Sequence, residues 1–227
     1  MEVKIQKMNE EINSTENLRL RCSQLEKELI QSHNKLIKVL DGIAYIIARV
    51  VERRDSHSIG HQKRVSKLAT DIAQEMKLPQ DKIEGLTFAS LVHDIGKVDL
   101  PIEIVVKPDK LFEIEFNLIK NHPKTGYEIL KNIDFPWPIA EIVFQHHEKI
   151  DGSGYPRGLK GDEILIESKI LCVADVVEAM SSYRSYRPAI SIDTTLNEIL
   201  KNKDILFEPE VVDFCIKLFR EKDFKFE

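Results

Sequence analysis

Residues 86–97 of this chain read Leu-Thr-Phe-Ala-Ser-Leu-Val-His-Asp-Ile-Gly-Lys and indicate a buried helix that ends in a polar pair. The first seven residues are mostly apolar or small, so the helix that they form is expected to lie in the protein core. It carries His93 and Asp94 into the same apolar surroundings, where an unpaired charge is costly. A metal ion would relieve that cost, because an imidazole and a carboxylate side by side can ligate one cation, or the carboxylate can bridge two.

Beyond residue 56 the apolar residues recur at helical spacing, and glycine or proline residues separate the segments, which is typical of short helices. No stretch alternates convincingly with a period of two, so the sequence predicts an all-α fold. Residues 151–161 form a Gly- and Pro-rich loop of the kind that carries function, with at most a small hairpin in it. The predicted helices cover residues 58–76, 81–94, 113–120, 125–133, 138–147, 166–182, 193–202 and 209–220.

The N-terminal part has the pattern of one long helix, with no proline before Pro79 and no glycine before Gly42. Its apolar residues alternate in steps of three and four, and Ser32 fills the one missing step. This seam consists of Leu18, Cys22, Leu25, Leu29, Leu36, Val39, Ile43, Ile46 and Val50. Much of the helix precedes anything that it could pack on in its own chain, which favours a parallel coiled coil between two copies over a core stripe. We therefore expect a coiled-coil helix at residues 1–54 and a separate helical domain at residues 55–227.

The composition of the chain excludes several classes of protein. Of its 227 residues, 31% are charged and 42% are hydrophobic, which suits a globular protein and argues against wholesale disorder. The net charge of −5 gives no overall attraction to nucleic acids or anionic membranes, and no charge-free stretch is long enough to span a bilayer. Three scattered cysteines form neither a disulfide framework nor a zinc site, so we expect a protein of the reducing cytoplasm.

Histidine is the informative residue type, because most of the seven histidines lie beside an acidic residue, a glycine or a proline. Any one of them taken alone would be interpreted as a core or capping histidine, but their joint occurrence with two acids in apolar helices points to metal binding. The predicted ligands are His61, His93, Asp94, His122, His146, His147 and Asp175, with His57 as an optional eighth. Five imidazoles and two carboxylates exceed the needs of one ion, so we predict a two-metal site. Oxygen and imidazole donors without thiolate favour iron or manganese over zinc.

Several motifs resemble the HD-GYP domain, a subgroup of the HD phosphohydrolase superfamily. The match runs from about residue 41 to the C-terminus, and its motifs occur in the order that the family has. They are His93-Asp94-Ile95-Gly96-Lys97, His146-His147-Glu148 and Asp151-Gly152-Ser153-Gly154-Tyr155-Pro156, supported by His122-Pro123 and Val173-Ala174-Asp175. The resemblance implies an HD-type helical bundle that hydrolyses cyclic di-GMP, a bacterial second messenger, to pGpG and often on to GMP.

The resemblance also implies a role for each predicted site residue. One metal would be held by His61, His93, Asp94 and Asp175. The second would share Asp94 and be completed by His122, His146 and His147. Two cations about 3.5–4 Å apart can activate a bridging hydroxide and clamp phosphate oxygens. Asp94 and Lys97 would be catalytic, with Lys97 near the phosphate as an acid or charge stabiliser. Substrate contacts would come from Tyr155, Arg184, Arg187 and Lys97.

The sequence leaves three alternatives open. His57 stands where some members of the family carry a glutamate that holds a third metal, which favours two metals here. Metal ligands contact only phosphate, so the substrate could instead be a mixed cyclic GMP–AMP or linear pGpG. A dimeric signalling module that binds the nucleotide without cleaving it is the remaining alternative, although such proteins normally lose a ligand or the lysine. The expected partners are thus a cyclic dinucleotide and a second copy of the chain, rather than a nucleic acid polymer or a membrane.

Overall fold

The computed structural model describes residues 1–54, 59–107, 109–183 and 187–226, with the backbone alone for residues 2–14. Its regular elements are all helical within these ranges, and β-pairing is limited to isolated bridges such as Asp151–Lys160, which confirms the predicted all-α class. The chain divides into two compact units, Met1–Gly42 and Ile43–Glu227. No helix in the described ranges combines the length and the apolar character needed to pass through a lipid bilayer.

The long helix predicted at the N-terminus is present as α1, Glu2–Glu52. Within the first unit the predicted seam is exposed: Leu18, Leu29 and Leu36 are 64%, 71% and 57% accessible. Burial of a leucine side chain contributes about 1.5–3 kcal/mol, so a row of exposed leucines is a surface that another helix can cover. The pairing of this seam with a second chain remains a prediction.

The last turns of α1, which belong to the second unit, have two different faces. Ala44, Ala48 and Val51 are buried, whereas Ile43 and Val50 on the predicted seam are exposed. Buried positions that recur every three or four residues define one face of a helix, and here that face joins the core of the unit. In these last turns the seam therefore stays on the surface while the other face of the helix packs into the core of the second unit.

Short helices with short connections make up the rest of the second unit. In chain order they are α2 His61–Glu75, α3 Gln80–Val92, α4 Ile102–Val105, α5 Glu113–Ile119, α6 His122–Leu130, α7 Ile139–Gln145, α8 Ile166–Ser181, α9 Ile192–Lys201 and α10 Pro209–Glu221. The sequence did not predict α4, and it placed the start of α6 too late, at Thr125. The helix begins at His122 because Pro123 lies in its first turn, where a missing backbone N–H breaks no hydrogen bond.

Four helices, α2, α3, α7 and α8, build the core of this unit. Helix α2 packs against both α3 and α8, and α7 packs against α3 and α8. Their fully buried side chains include Leu68, Leu86, Ile142 and Leu171. Burial of each contributes about 1.5–3 kcal/mol relative to exposure, so the ends of these helices are held in fixed positions.

Immediately after α3 the chain forms a 3₁₀ helix, Ile95–Asp99, that lies against α6. A Cβ atom on Gly96 would lie 2.0 Å from the carbonyl oxygen of His122 and 2.6 Å from the backbone nitrogen of Gly126. Only glycine allows two backbones to approach so closely. The contact brings the end of α3 and the start of α6 together, and both carry predicted metal ligands.

Candidate metal centre

All seven predicted metal ligands come together within the second unit. His61 begins α2, His93 and Asp94 follow α3, His122 begins α6, His146 and His147 follow α7, and Asp175 lies within α8. Neighbouring imidazole rings of this cluster have centroids 4.0–5.4 Å apart. The side chains of His147 and Asp175 are 21% and 13% accessible, and the other members are almost completely buried. The cluster is thus enclosed on most sides and reached from the side of His147 and Asp175.

Asp94 lies between two groups of imidazoles. Its Oδ2 atom lies 3.8 Å from Nε2 of His61 and 3.5 Å from Nε2 of His93. Its Oδ1 atom lies 3.4 Å from Nε2 of His122. Each carboxylate oxygen faces a different group, which is the arrangement that bridging of two cations by one carboxylate requires.

Two sets of ligand atoms are compact enough to surround one ion each, with all atoms of a set within 4.8 Å of one another. They are His61, His93 and Asp94, and His122, His146 and His147. Asp175 borders both sets, because its Oδ1 lies 3.2 Å from Nε2 of His61 while its Oδ2 lies 4.0 Å from Nδ1 of His147. The five histidines divide between the two sets as the sequence-based prediction divided them, whereas Asp175, predicted for the first set, borders both.

Backbone carbonyls orient three of the imidazoles. Nδ1 of His93 donates to the carbonyl of Ser90 at 2.7 Å, and Nδ1 of His122 donates to the carbonyl of Ile119 at 2.8 Å. Nδ1 of His146 donates in the same way to the carbonyl of Val143 at 2.5 Å. Each acceptor lies three residues earlier, in or at the end of a helix, where carbonyls lack helical partners. A proton fixed on Nδ1 leaves the lone pair of Nε2 directed into the cluster, as a metal ligand requires.

A fourth imidazole, that of His61, is oriented by Glu178, a residue that sequence reasoning missed. Oε2 of Glu178 contacts Nδ1 of His61, and Oε1 accepts from Nε of Arg64 at 2.7 Å and from the hydroxyl of Ser182 at 2.6 Å. Glu178 is fully buried although it carries a charge. The signal in the sequence was its position three residues after Asp175, which places two acids on one side of an apolar helix.

Burial dominates the acid–base behaviour of the second group of imidazoles. It lowers the pKa of His122 to about 4 and that of His146 to about 3. Burial, together with the neighbouring imidazoles, also holds the pKa of His147 well below its usual range. These three rings are therefore neutral at pH 7, which is the form that binds metal.

Acidic neighbours reverse this effect for His61. Burial alone lowers its pKa, but the hydrogen bonds that the ring donates to Asp175 and Glu178, together with the negative charges of these acids, outweigh burial and raise it to about 9. The carboxyl groups respond in the opposite direction. Burial raises the pKa of Asp94, yet the charges of Lys97 and of the surrounding imidazoles hold it well below its usual range. Asp94 is therefore an anion among imidazoles, the charge distribution that attracts a cation.

Two observations show that the interior of the cluster fits a cation. Nε2 of His93 is buried and lacks a hydrogen-bond partner among the described residues, although such a group normally has one. Nε2 of His122 lies only 3.1 Å from Nε2 of His146, so two ring nitrogens share one small space. Cations bound at the two sets of ligand atoms would satisfy all three nitrogens. The donors are imidazole nitrogens and carboxylate oxygens without sulfur, a set that suits iron, manganese or zinc.

Lys97 and Tyr155 lie at the edge of the cluster. Nζ of Lys97, on the 3₁₀ helix after α3, lies 2.7 Å from Oδ2 of Asp94. The ring of Tyr155 lies over His147, with centroids 4.7 Å apart. The Lys97 side chain is 23% accessible, so it connects the buried carboxylate with the outside of the cluster.

The loop that carries Tyr155 is held by Glu148, a second residue whose role sequence reasoning missed. The two carboxylate oxygens of Glu148 accept hydrogen bonds from the backbone nitrogens of Arg157 at 2.7 Å and Leu159 at 3.0 Å. At Gly154 the loop passes so close to the chain that a Cβ atom would lie 2.4 Å from the nitrogen of Lys149. The sequence identifies Glu148 as part of a motif, but its partners lie nine and eleven residues away and no local pattern predicts them.

The structure does not bring Arg187, one of the two predicted substrate-binding arginines, to the cluster. The guanidinium of Arg187 donates to the carbonyls of Met180 at 2.9 Å and Ala179 at 2.8 Å, near the C-terminal end of α8. It thus satisfies helix-terminal carbonyls instead of facing the imidazoles. Arg184 and the optional ligand His57 lie outside the described residues.

Comparison with known proteins places this geometry in a family. The family model of the HD domain matches residues 45–211. The cyclic di-GMP phosphodiesterase response regulator RpfG of Xanthomonas campestris is 35% identical over 205 residues, which cover 89% of this chain and 54% of RpfG. The 3'3'-cGAMP-specific phosphodiesterase 1 of Vibrio cholerae is 35% identical over 161 residues, which cover 71% of this chain and 37% of that protein. The chain spans about half the length, or less, of these curated relatives.

Solved structures show the same architecture. Bd1817, an HD-GYP-type protein from Bdellovibrio bacteriovorus, superposes with a TM-score of 0.62 over 81% of this chain and 64% of that chain. The two sequences are 16% identical, so the similarity is one of fold. The helical bundle, the family match and the shared motifs together confirm the resemblance that the sequence indicated. The chain belongs to the HD domain family, within its HD-GYP subgroup.

Proposed function

We propose that this chain is a metal-dependent phosphodiesterase that hydrolyses cyclic di-GMP to pGpG and on to GMP. The observation that carries the proposal is the position of Asp94, whose two carboxylate oxygens face two separate groups of imidazoles in a buried cluster. Relatives named as cyclic dinucleotide phosphodiesterases support the reaction class. Nothing else in the described chain gathers so many neutral imidazoles and anionic carboxylates.

The proposed cofactors are two divalent cations, iron first and manganese second, because the donors combine imidazole with hard oxygen. His61, His93, Asp94 and Asp175 would hold one, and Asp94, His122, His146 and His147 the other. Bound there, the metals would supply Lewis acidity for the phosphate group and a nucleophilic water at neutral pH.

The residues of the chain itself would bind and orient the substrate. Lys97, 2.7 Å from Asp94 and partly accessible, would place positive charge on the phosphate and hold a proton for the leaving oxygen. The ring of Tyr155 lies over His147 at an interplanar angle of 33°. We propose that this ring would stack on a guanine base. Glu148 would keep that ring in place through its two hydrogen bonds to the loop. Arg184 would remain a candidate for phosphate binding, whereas Arg187 would have to leave its carbonyl partners.

A second candidate substrate is the mixed cyclic GMP–AMP, because relatives specific for 3'3'-cGAMP are about as similar to this chain as RpfG is. The proposed metal centre would contact the phosphate alone and would be compatible with either nucleotide. Hydrolysis rates for cyclic di-GMP, cyclic GMP–AMP and pGpG, measured side by side with product analysis, would distinguish them. We expect cyclic di-GMP to be the preferred substrate.

The decisive experiment replaces Asp94 by alanine in protein loaded anaerobically with iron or manganese. Loss of the shared carboxylate should reduce bound metal and lower cyclic di-GMP turnover by at least about 100-fold. Asp81→Ala, an exposed acid at the start of the helix that precedes Asp94, is the matched control and should retain both properties. Undiminished turnover in the Asp94 variant would refute the proposal. Nucleotide binding by the wild-type protein without any product would refute catalysis and leave a binding module.

We also propose that two copies of the chain associate through α1 as a parallel coiled coil. The exposed leucines at heptad spacing in the first unit and the exposed isoleucines at the end of the helix support this arrangement. A cytoplasmic location agrees with the free cysteines at positions 22, 172 and 215.

A further inference from the structure

A second cavity, apart from the metal centre, lies between α2 and the C-terminal residues of the chain. Its volume is about 340 Å³, which is in the range of small-molecule sites. Its charged lining is mostly basic, since Lys63, Lys67, Lys222 and Lys225 face it together with Arg64, and Asp71 is the one acid among the lining residues. This concentration of positive charge contrasts with the net charge of −5 of the whole chain. The cavity therefore suits an anion.

Aromatic rings form the apolar part of the cavity. Phe224 and Phe226 line it, and their ring centroids lie 5.4 Å apart. Phe219 on α10 holds both rings, with centroid distances of 4.9 Å to Phe224 and 5.7 Å to Phe226. Both lining rings are partly accessible, so they can stack on a flat ligand. Nζ of Lys67 lies 5.6 Å from the Phe224 centroid, which places a cation beside the stacking surface.

The carboxylates that already contact these lysines do not block a stronger anion. Lys67 pairs with Asp71, Lys225 pairs with Asp223, and Lys222 pairs with Glu75. The three lysines are more than half accessible, and ion pairs at such sites contribute little stability. A phosphate group, with two negative charges and several acceptor oxygens, would compete well for them.

We propose that this cavity is a binding site for a nucleoside monophosphate. The lysines from α2 and the C-terminal residues would hold the phosphate, and the rings of Phe224 and Phe226 would stack on the base. Base stacking accepts any base, so the cavity selects for a planar base joined to a phosphate and not for one particular nucleotide. The site requires no metal and can be tested independently of the metal centre.

Arg64 connects this cavity with the metal centre. Its guanidinium lines the cavity and also donates to Glu178, whose other oxygen contacts His61. A phosphate in the cavity would share Arg64 with Glu178, so occupancy should change the affinity of the centre for metal. Thermodynamic linkage requires that metal then changes nucleotide affinity by the same factor.

Titration calorimetry of the full chain with GMP at about 0.15 M salt tests the site. The double variant Lys63→Glu/Lys67→Glu should weaken GMP binding by at least about tenfold, and Lys110→Glu/Lys201→Glu, with the same charge change elsewhere, should leave it within about twofold. Phe224→Leu, which keeps an apolar side chain but removes the ring, should weaken GMP binding by about tenfold and leave phosphate binding unchanged.

The ligand class is tested with guanosine and with inorganic phosphate. Both should bind at least about tenfold more weakly than GMP, because guanosine lacks the phosphate group and inorganic phosphate lacks the base. Equal affinity for inorganic phosphate would overturn the nucleotide assignment.

A third variant distinguishes the cavity from the metal centre. Lys97→Ala should leave GMP affinity of metal-free protein unchanged. If Lys97→Ala abolishes binding while Lys63→Glu/Lys67→Glu retains it, the nucleotide lies in the metal centre and the inference is wrong. The connection through Arg64 predicts that GMP shifts the metal affinity of the wild-type protein and not that of the lysine variant, and an unchanged wild-type value would refute the connection.

Discussion

Glu178 holds His61 from the side opposite the metal centre: its Oε2 contacts Nδ1 of the ring, while Nε2 of the same ring lies 3.2 Å from Asp175. Arg64 and Ser182 in turn hold the other oxygen of Glu178. The orientation of one predicted ligand thus depends on a buried acid that is not itself among the predicted ligands.

Glu178→Gln should weaken metal binding without unfolding the protein. Glutamine keeps the size of the side chain but loses the charge that orients and polarises His61, and loss of such a partner typically lowers metal affinity about 10–100-fold. Metal content after dialysis against a graded series of chelator concentrations measures the effect. Glu210→Gln, an exposed acid in the first turn of α10, is the control. Equal metal retention by the two variants would contradict the proposed role.

The metal-free protein should lose stability as the pH falls from 7 to 5. The pKa values of His122 and His146 are about 4 and 3 in the folded chain and near 6.5 in the unfolded chain. Between pH 7 and 5 these two rings therefore bind protons in the unfolded chain and not in the folded one. Each ring accounts for about 2 kcal/mol of lost stability. His61 acts in the opposite direction: its pKa of about 9 gives a contribution that is complete below pH 6.5 and is lost as the pH rises through 9.

Urea unfolding in the presence of chelator at several pH values measures this dependence. His146→Gln should flatten it, because one of the three imidazoles with a lowered pKa is gone. His33→Gln, which changes an exposed histidine on α1, should leave the slope as it is in the wild-type protein. A stability that does not change between pH 7 and 5 would contradict the burial of these rings in their neutral form.

Gly96→Ala should destabilise the second unit by about 3 kcal/mol, because the new Cβ atom would lie 2.0 Å from the carbonyl oxygen of His122. The backbones must separate to admit it, and the separation displaces His122 from Asp94. Metal content should fall together with the unfolding midpoint. Gly42→Ala is the matched control, because a Cβ atom there meets nothing within 4 Å and alanine favours a helix. A Gly96 variant as stable as the Gly42 variant would contradict the close contact.

Replacing two leucines of the seam should prevent association of the chain. Leu25→Asp/Leu29→Asp puts two charges at positions that a coiled coil would bury, so a dimer should become a monomer while the second unit stays folded. Multi-angle light scattering at micromolar concentration measures the mass. Lys27→Asp/Lys35→Asp changes exposed positions off the seam and should remain dimeric. A monomeric wild-type protein would refute the coiled coil directly.

The helices and the predicted metal ligands could be read from the sequence because both depend on local patterns. Apolar periodicity marks α2, α3 and α8, and a histidine or an acid in such a helix, as at His93 and Asp175, must find a partner in the core. Seven such residues in one small domain leave few arrangements in which their side chains do not lie close together.

Residues that orient the ligands could not be predicted, because their partners are distant in the chain. Glu178 meets His61 across 117 positions, and Glu148 binds backbone nitrogens of an irregular loop. Arg187 shows a different limit, because this basic residue was predicted to bind the substrate and instead donates to carbonyls at the end of a helix. Charge and spacing give the kind of partner that a side chain needs, whereas the fold decides which of several equivalent partners it meets.

A single side chain, Asp94, serves both halves of the cluster, and this has a consequence for how such proteins diverge. In the proposed two-metal centre its loss would take a ligand from both positions at once, so one substitution in a descendant should weaken the binding of both ions. Conversely, the two proposed ions could not be tuned independently by substitution at this position, and an adjustment of one alone would have to come from the histidines of its own group.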